Sequence, residues 1–266
     1  EDVVMNPETE FDWYLFSSKN SCQLAYSKDY FRSKPNFEYY YKRLKKLFTN
    51  GNCFVAGFAV GNDVGYVNSA CERYYKEFIN YRAFDVALLC EKIFNSKKKL
   101  FEWAKFLNCD ITDLESHKSV DDAMTTMLVF KKICEKENLF PEQIMKNYKE
   151  YFVSTEEIQN QAEERKYKKE MMTKIKSFYT RRSPNPIRKI YAGQKFEINK
   201  KVFSDLERAL NIVKRIYEGG GVIVERLKEK GNIVFLEGTL EPEKKESILK
   251  KGYSIVYAEE IEKIIK

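Results

Sequence analysis

The chain has 266 residues, 47 Lys and Arg against 40 Asp and Glu, a formal net charge of +7, and 43% hydrophobic residues, enough to build one large or two modest cores. No run approaches the roughly 18 apolar residues of a membrane span and no signal peptide is evident, so the expected protein is soluble and cytoplasmic, with no membrane partner. Its six cysteines (22, 53, 71, 90, 109 and 134) form no Cys-x-x-Cys pair and accompany a single histidine, which argues against zinc and for small buried thiols in a reducing compartment.

In chain order, Val3-Val4-Met5, the turn Asn6–Thr9 and Phe11–Phe16 predict a hairpin. Asn36 predicts a helix cap, and apolar positions 37, 40, 41, 44, 47 and 48 give the following helix a buried face. Phe54–Val60, including Cys53 at its start, predicts a buried strand, and Asp63 stands just past its end, where open α/β sheets build their sites. Val64, Val67 and Cys71 predict a helix behind that aspartate. Asn80–Asp85 reads as a second strand, followed by helices near 85–95 and 99–107.

Leu114–Ala123 holds the only histidine, His117, and Asp122 follows five positions later. Val120, Met124, Met127, Phe130 and Cys134 recur every three or four residues, which predicts a core-facing helix with Ser119 as its cap and Asp122 in its first turn. A histidine of ordinary pKa near 6.5 can exchange a proton at neutral pH, and a neighbouring carboxylate can orient it or hold a divalent cation. A lone histidine before a helix can equally be a surface or capping residue.

Taken together, Asp63 behind a strand and glycine, the strand leading into Asp85, and His117 with Asp122 resemble the DnaQ-like 3′–5′ exonucleases of the DEDDh type, over roughly residues 1–137. The resemblance implies an RNase H-like exonuclease fold, a mixed sheet flanked by helices. It also implies two Mg2+ or Mn2+ ions held by Asp63, Asp122 and the carboxylates of an Asp-x-Glu motif, with His117 accepting a proton from the attacking water. Asp63, Asp122 and His117 are then the catalytic residues, and the product is a nucleoside monophosphate released from a DNA 3′ end, in replication or repair. RNA ends are an alternative substrate. Phe58-Ala59 stands where the family often has His-Asn. The Asp-x-Glu on the family's first strand is not visible, and the hairpin above would correspond to its second and third strands. Without that pair, the competing reading is a catalytically incomplete DNA-binding or scaffold protein.

Residues 141–153 predict a short helix, and Ser154-Thr155-Glu156-Glu157 a capping box opening a longer one. From Arg165 to Lys201 there are thirteen basic residues against Glu170 and Glu197. This run is either a solvated helix and linker or a nucleic-acid tether, with Lys166, Lys168, Lys169, Arg181 and Arg182 as candidate phosphate contacts. Arg181–Pro186 cannot continue a helix. The expected division is therefore a domain over 1–153, a basic connector over 154–186 and a second domain over 187–266.

Beyond it, Lys195–Ile198 predicts a strand, and Phe203, Leu206, Leu210, Val213 and Tyr217 a helical stripe. Gly219-Gly220-Gly221, strands at 222–224 and 233–236, a helix at 247–250, a strand at 253–257 and a last helix from Glu259 to Ile265 follow. The triple glycine lacks the Gly-Lys-Ser/Thr ending of a phosphate-binding P-loop. This order of elements, with its glycine pair, resembles a BRCT domain, which implies a protein partner. The usual tryptophan of the last helix is absent, and no Ser/Thr-Gly follows Ile198. A small unrelated α/β module is the alternative.

Overall fold

The computed structural model describes residues 3–8, 26–116, 118–187 and 189–264. The chain forms two compact units, Glu1–Ala162 and Glu163–Lys266. The expected hairpin lies largely outside the described residues. Val3, Val4 and Met5, which are described, form no strand, and Asn6 makes only an isolated bridge to Asn36.

The first unit begins with α1 (Lys28–Arg32) and α2 (Phe37–Phe48), whose Asn36 cap accepts from the Tyr39 N–H. Then come β1 (Val55–Gly57), α3 (Gly61–Arg73), β2 (Arg82–Asp85), α4 (Val86–Phe94), α5 (Leu100–Phe106) and α6 (Ser119–Glu137). After α7 (Pro141–Asn147) the chain enters β3 (Phe152–Ser154), where the sequence predicts continued helix. β1 pairs parallel to β2, and β2 antiparallel to β3, giving a mixed sheet in the order β1-β2-β3. One core packs Phe84, Leu89, Trp103, Val129 and Ile133, and another packs Val60, Val64, Ile79 and Ala83. Thr155 ties the layers together: its hydroxyl donates to the Ile79 or Tyr81 carbonyl and accepts from the Tyr81 N–H, while its own carbonyl accepts from buried Asn68.

Three expectations are corrected here. β1 is shorter than the predicted strand, leaving Cys53 and Phe54 exposed before it. The buried face of α6 is Asp121, Thr125, Val129 and Ile133, with Thr126 and Cys134 beside it, whereas Met124 and Met127 are exposed. Ser119 is the first helical residue, and Lys118 occupies the cap position without a side-chain cap bond.

The helix α8 (Thr155–Lys176) opens with the predicted capping box. The Glu157 carboxylate accepts from the Ser154 N–H, and the Ser154 hydroxyl accepts from the Glu157 N–H. The division between the units falls within this helix, so its basic half belongs to the second unit rather than to a separate connector. There Met171 and Ile175 are buried, and Ile175 joins the second unit's core.

The second unit continues with β4 (Lys195–Ile198), α9 (Leu206–Glu218), β5 (Val222–Val224), β6 (Asn232–Phe235), α10 (Pro242–Lys250), β7 (Ser254–Tyr257) and α11 (Ala258–Ile264). Its four-stranded sheet runs β5-β4-β6-β7, and every pairing is parallel. The glycine run works as a turn from α9 into β5: Gly220 has φ +85, and a Cβ on Gly221 would stand 2.7 Å from Ile216 and 2.9 Å from Phe196. Both units are therefore α/β.

Candidate active site

The end of β1 is built for a close turn. A Cβ on Gly57 would lie 2.8 Å from the Val60 side chain, so only glycine lets the chain fold back there. Ala59 then takes a left-handed conformation (φ 56), unusual for a residue with a Cβ. The buried carboxylate of Asp85 at the end of β2 holds that turn. It accepts from the N–H groups of Ala59 and Val60, both at 3.1 Å, and from those of Ala87 at 2.9 Å and Leu88 at 3.3 Å, capping α4 at the same time. Burial raises its pKa, against the pull of those four donors.

The turn delivers Asp63 into the first turn of α3. Asp63 and Asp122 line one cleft of about 800 Å³ together with Gly57, Tyr81, Lys99, Phe101, Ser116 and Ser119. Asp63 keeps solvent contact on the cleft side, yet enough protein surrounds its carboxylate that desolvation raises its pKa. The charges of Asp85 and Asp122 push the same way. Tyr81, on the cleft wall, is pushed up to about 12, by burial first and then by the Asp63 charge.

Asp122 sits in the first turn of α6, half-buried, with its carbonyl accepting from the Thr126 hydroxyl. His117 lies outside the described residues, but the flanks of its loop are pinned. Buried Asp121 accepts from the Glu115 N–H at 3.1 Å and pairs with Lys118 at 3.3 Å. Asp121 is not among the residues that the motifs single out; a carboxylate at the third helical position is its signal in the sequence.

No protein-family model, curated protein or solved structure matches the chain.

Among the described residues, no three His, Cys, Asp or Glu side chains gather as a metal site. Asp63 and Asp122 offer hard oxygen donors of like charge, which suit one Mg2+ or Mn2+ that keeps waters and substrate phosphate as its other ligands. Asp85 stands close enough to affect Asp63 electrostatically, but its oxygens are engaged by backbone N–H groups. Glu102 is a third carboxylate on the same cleft, its Oε2 accepting from the Lys99 N–H at 3.0 Å.

The proposed phosphate contacts all lie in the second unit. Lys166, Lys168, Lys169, Arg181 and Arg182 are exposed, and Lys168 is paired with Glu164.

Proposed function

We propose that the first unit is a metal-dependent 3′–5′ exonuclease of the DnaQ-like type and that the second, BRCT-like unit with the basic half of α8 holds nucleic acid or a protein partner. The observation that carries this reading is the convergence of Asp63 and Asp122, remote in sequence, on one cleft beside the end of β1. The order of strands, helices and glycines in the second unit is the one on which the BRCT resemblance rests. Asp63 and Asp122 would hold a divalent ion, which would supply positive charge to the scissile phosphate and to water. His117 takes a proton from the attacking water, and Asp121 keeps its loop in place. Released nucleoside monophosphates would come from DNA, or alternatively RNA, 3′ ends.

That Asp63, Asp122 and Glu102, though on one cleft, do not gather as a metal site among the described residues favours a second reading, a catalytically incomplete nucleic-acid-binding or scaffold protein. Incubating the complete protein with a 5′-labelled oligonucleotide and Mn2+ separates the two. The enzyme reading expects stepwise shortening from the 3′ end. It also expects Asp63→Ala and Asp122→Ala to reduce the rate by more than the roughly 10- to 100-fold lost when a metal's outer-shell partner is removed. His117→Ala should slow turnover about 10²- to 10⁴-fold while leaving Mn2+ affinity nearly intact. A folded parent that binds the oligonucleotide and never shortens it leaves the scaffold reading standing.

A further inference from the structure

We infer that one face of α8 is a ladder for the phosphates of a nucleic-acid strand, made by Arg165, Lys166, Lys169 and Lys176 and excluding Lys168. The inference rests on the nucleic-acid part of the reading above and is independent of the hydrolytic part.

The helix is exposed at every residue from Gln161 to Glu170, an unusual length of solvated surface, while Met171 and Ile175 turn one side of the next two turns into the core. At 3.6 residues per turn, Arg165, Lys166, Lys169 and Lys176 fall within a sector about 100° wide on the side opposite Met171 and Ile175. Between Gln161 and Lys176 only Ala162 and Thr173 share it, and no carboxylate does. Glu163 and Glu170 fall on a flank with Lys174. Glu164 falls on the core side, where it pairs with Lys168. Among the described residues, none of the four ladder cations enters an ion pair. Arg165 to Lys176 covers about 16 Å of helix axis. A one-signed, unpaired and exposed row of this kind suits a polyanion with regularly spaced charges. It has no apolar component that would point to a folded protein surface.

The test is the salt dependence of binding, measured in chelator so that hydrolysis cannot contribute, with thirty-residue oligothymidylate and oligouridylate as probes. Each phosphate contact on a single strand adds about 0.7 to the slope of log affinity against log salt. The combined Arg165→Gln, Lys166→Gln, Lys169→Gln, Lys176→Gln variant should therefore lose about 2 to 3 from that slope on both probes. Lys168→Gln should stay near the parent. Lys166→Glu and Lys169→Glu, single changes on a solvated face, should each lower the slope by about 0.7 or more, which guards against a shared loss of helix in the combined variant. An unchanged slope in the singles and the combined variant, or an equal loss in Lys168→Gln, overturns the ladder. A parent protein that fails to shorten 3′ ends when Mn2+ is restored, while the slopes fall as expected in the variants, would count against the exonuclease reading alone.

Discussion

Asp85→Ala removes the acceptor that both caps α4 and fixes the turn leading to Asp63. Loss of an aspartate cap costs about 0.5–2 kcal/mol. Of the two turn donors, exposed Ala59 can turn to water, but Val60 is buried, and an unsatisfied N–H there costs about 1–3 kcal/mol. The sum is about 2–5 kcal/mol. The gross value of four bonds to a charge is larger, but burial of the carboxylate, visible in its raised pKa, offsets part of it. Asp85→Asn keeps one acceptor oxygen and should cost roughly half as much. Trp103 is buried in the first unit and the second has no tryptophan, so urea unfolding followed by tryptophan fluorescence reports on the first unit without interference from the second. Because the left-handed Ala59 loses its restraint, metal-dependent activity should fall along with stability. An Asp85→Ala protein within about 1 kcal/mol of the parent would refute this account of the turn.

Features whose signal is local were readable in the sequence. Asn36 and the Ser154/Glu157 box announce helix starts because the donor and acceptor lie within three residues. The parallel strands of the second unit are short apolar runs separated by a glycine turn, and they form close to where they are expected. The buried face of α6 does not follow its apolar spacing, because hydrophobicity alone does not decide burial there. Thr125 can be buried cheaply, since its hydroxyl donates to the Asp121 carbonyl at 2.7 Å, and Asp121 is satisfied by Glu115 and Lys118. Met124 and Met127 instead line a surface groove with Leu44 and Leu47. β3 leaves no legible signal, because three residues carry little pattern and its partner, β2, is remote in sequence. Asp63 and Asp122 could be named from short motifs, but their sharing of a cleft depends on the Asp85-held turn, whose donors come from two separate stretches.

In the second unit, Arg208 donates through Nε and one terminal nitrogen to both oxygens of Glu262, at 2.7 and 2.8 Å, and to Glu259 at 2.7 Å, joining α9 to α11. Arg208→Lys keeps the charge but cannot make the forked contact, so amides of α11 should exchange several-fold faster with solvent deuterium; unchanged exchange would show that apolar packing of Ala258 and Ile261 suffices. The α8 capping box gives a pH-dependent counterpart. Glu157 is held below the usual glutamate value of 4.5 by the Ser154 N–H and then by its hydroxyl. A carboxyl whose pKa is lower in the folded state contributes stability at pH values above its unfolded pKa and loses it as pH falls through the folded one. Glu157 is exposed, so the effect is small and local. Deuterium exchange at residues 155–159 should therefore be slower in the parent than in Glu157→Ala at pH 7, with the difference fading as pH falls below the ordinary glutamate value of 4.5 and the carboxylate takes up its proton. A difference that persists undiminished at pH 3 would mean that the Glu157 side chain acts without its charge, because Glu157→Ala keeps the Ser154 hydroxyl.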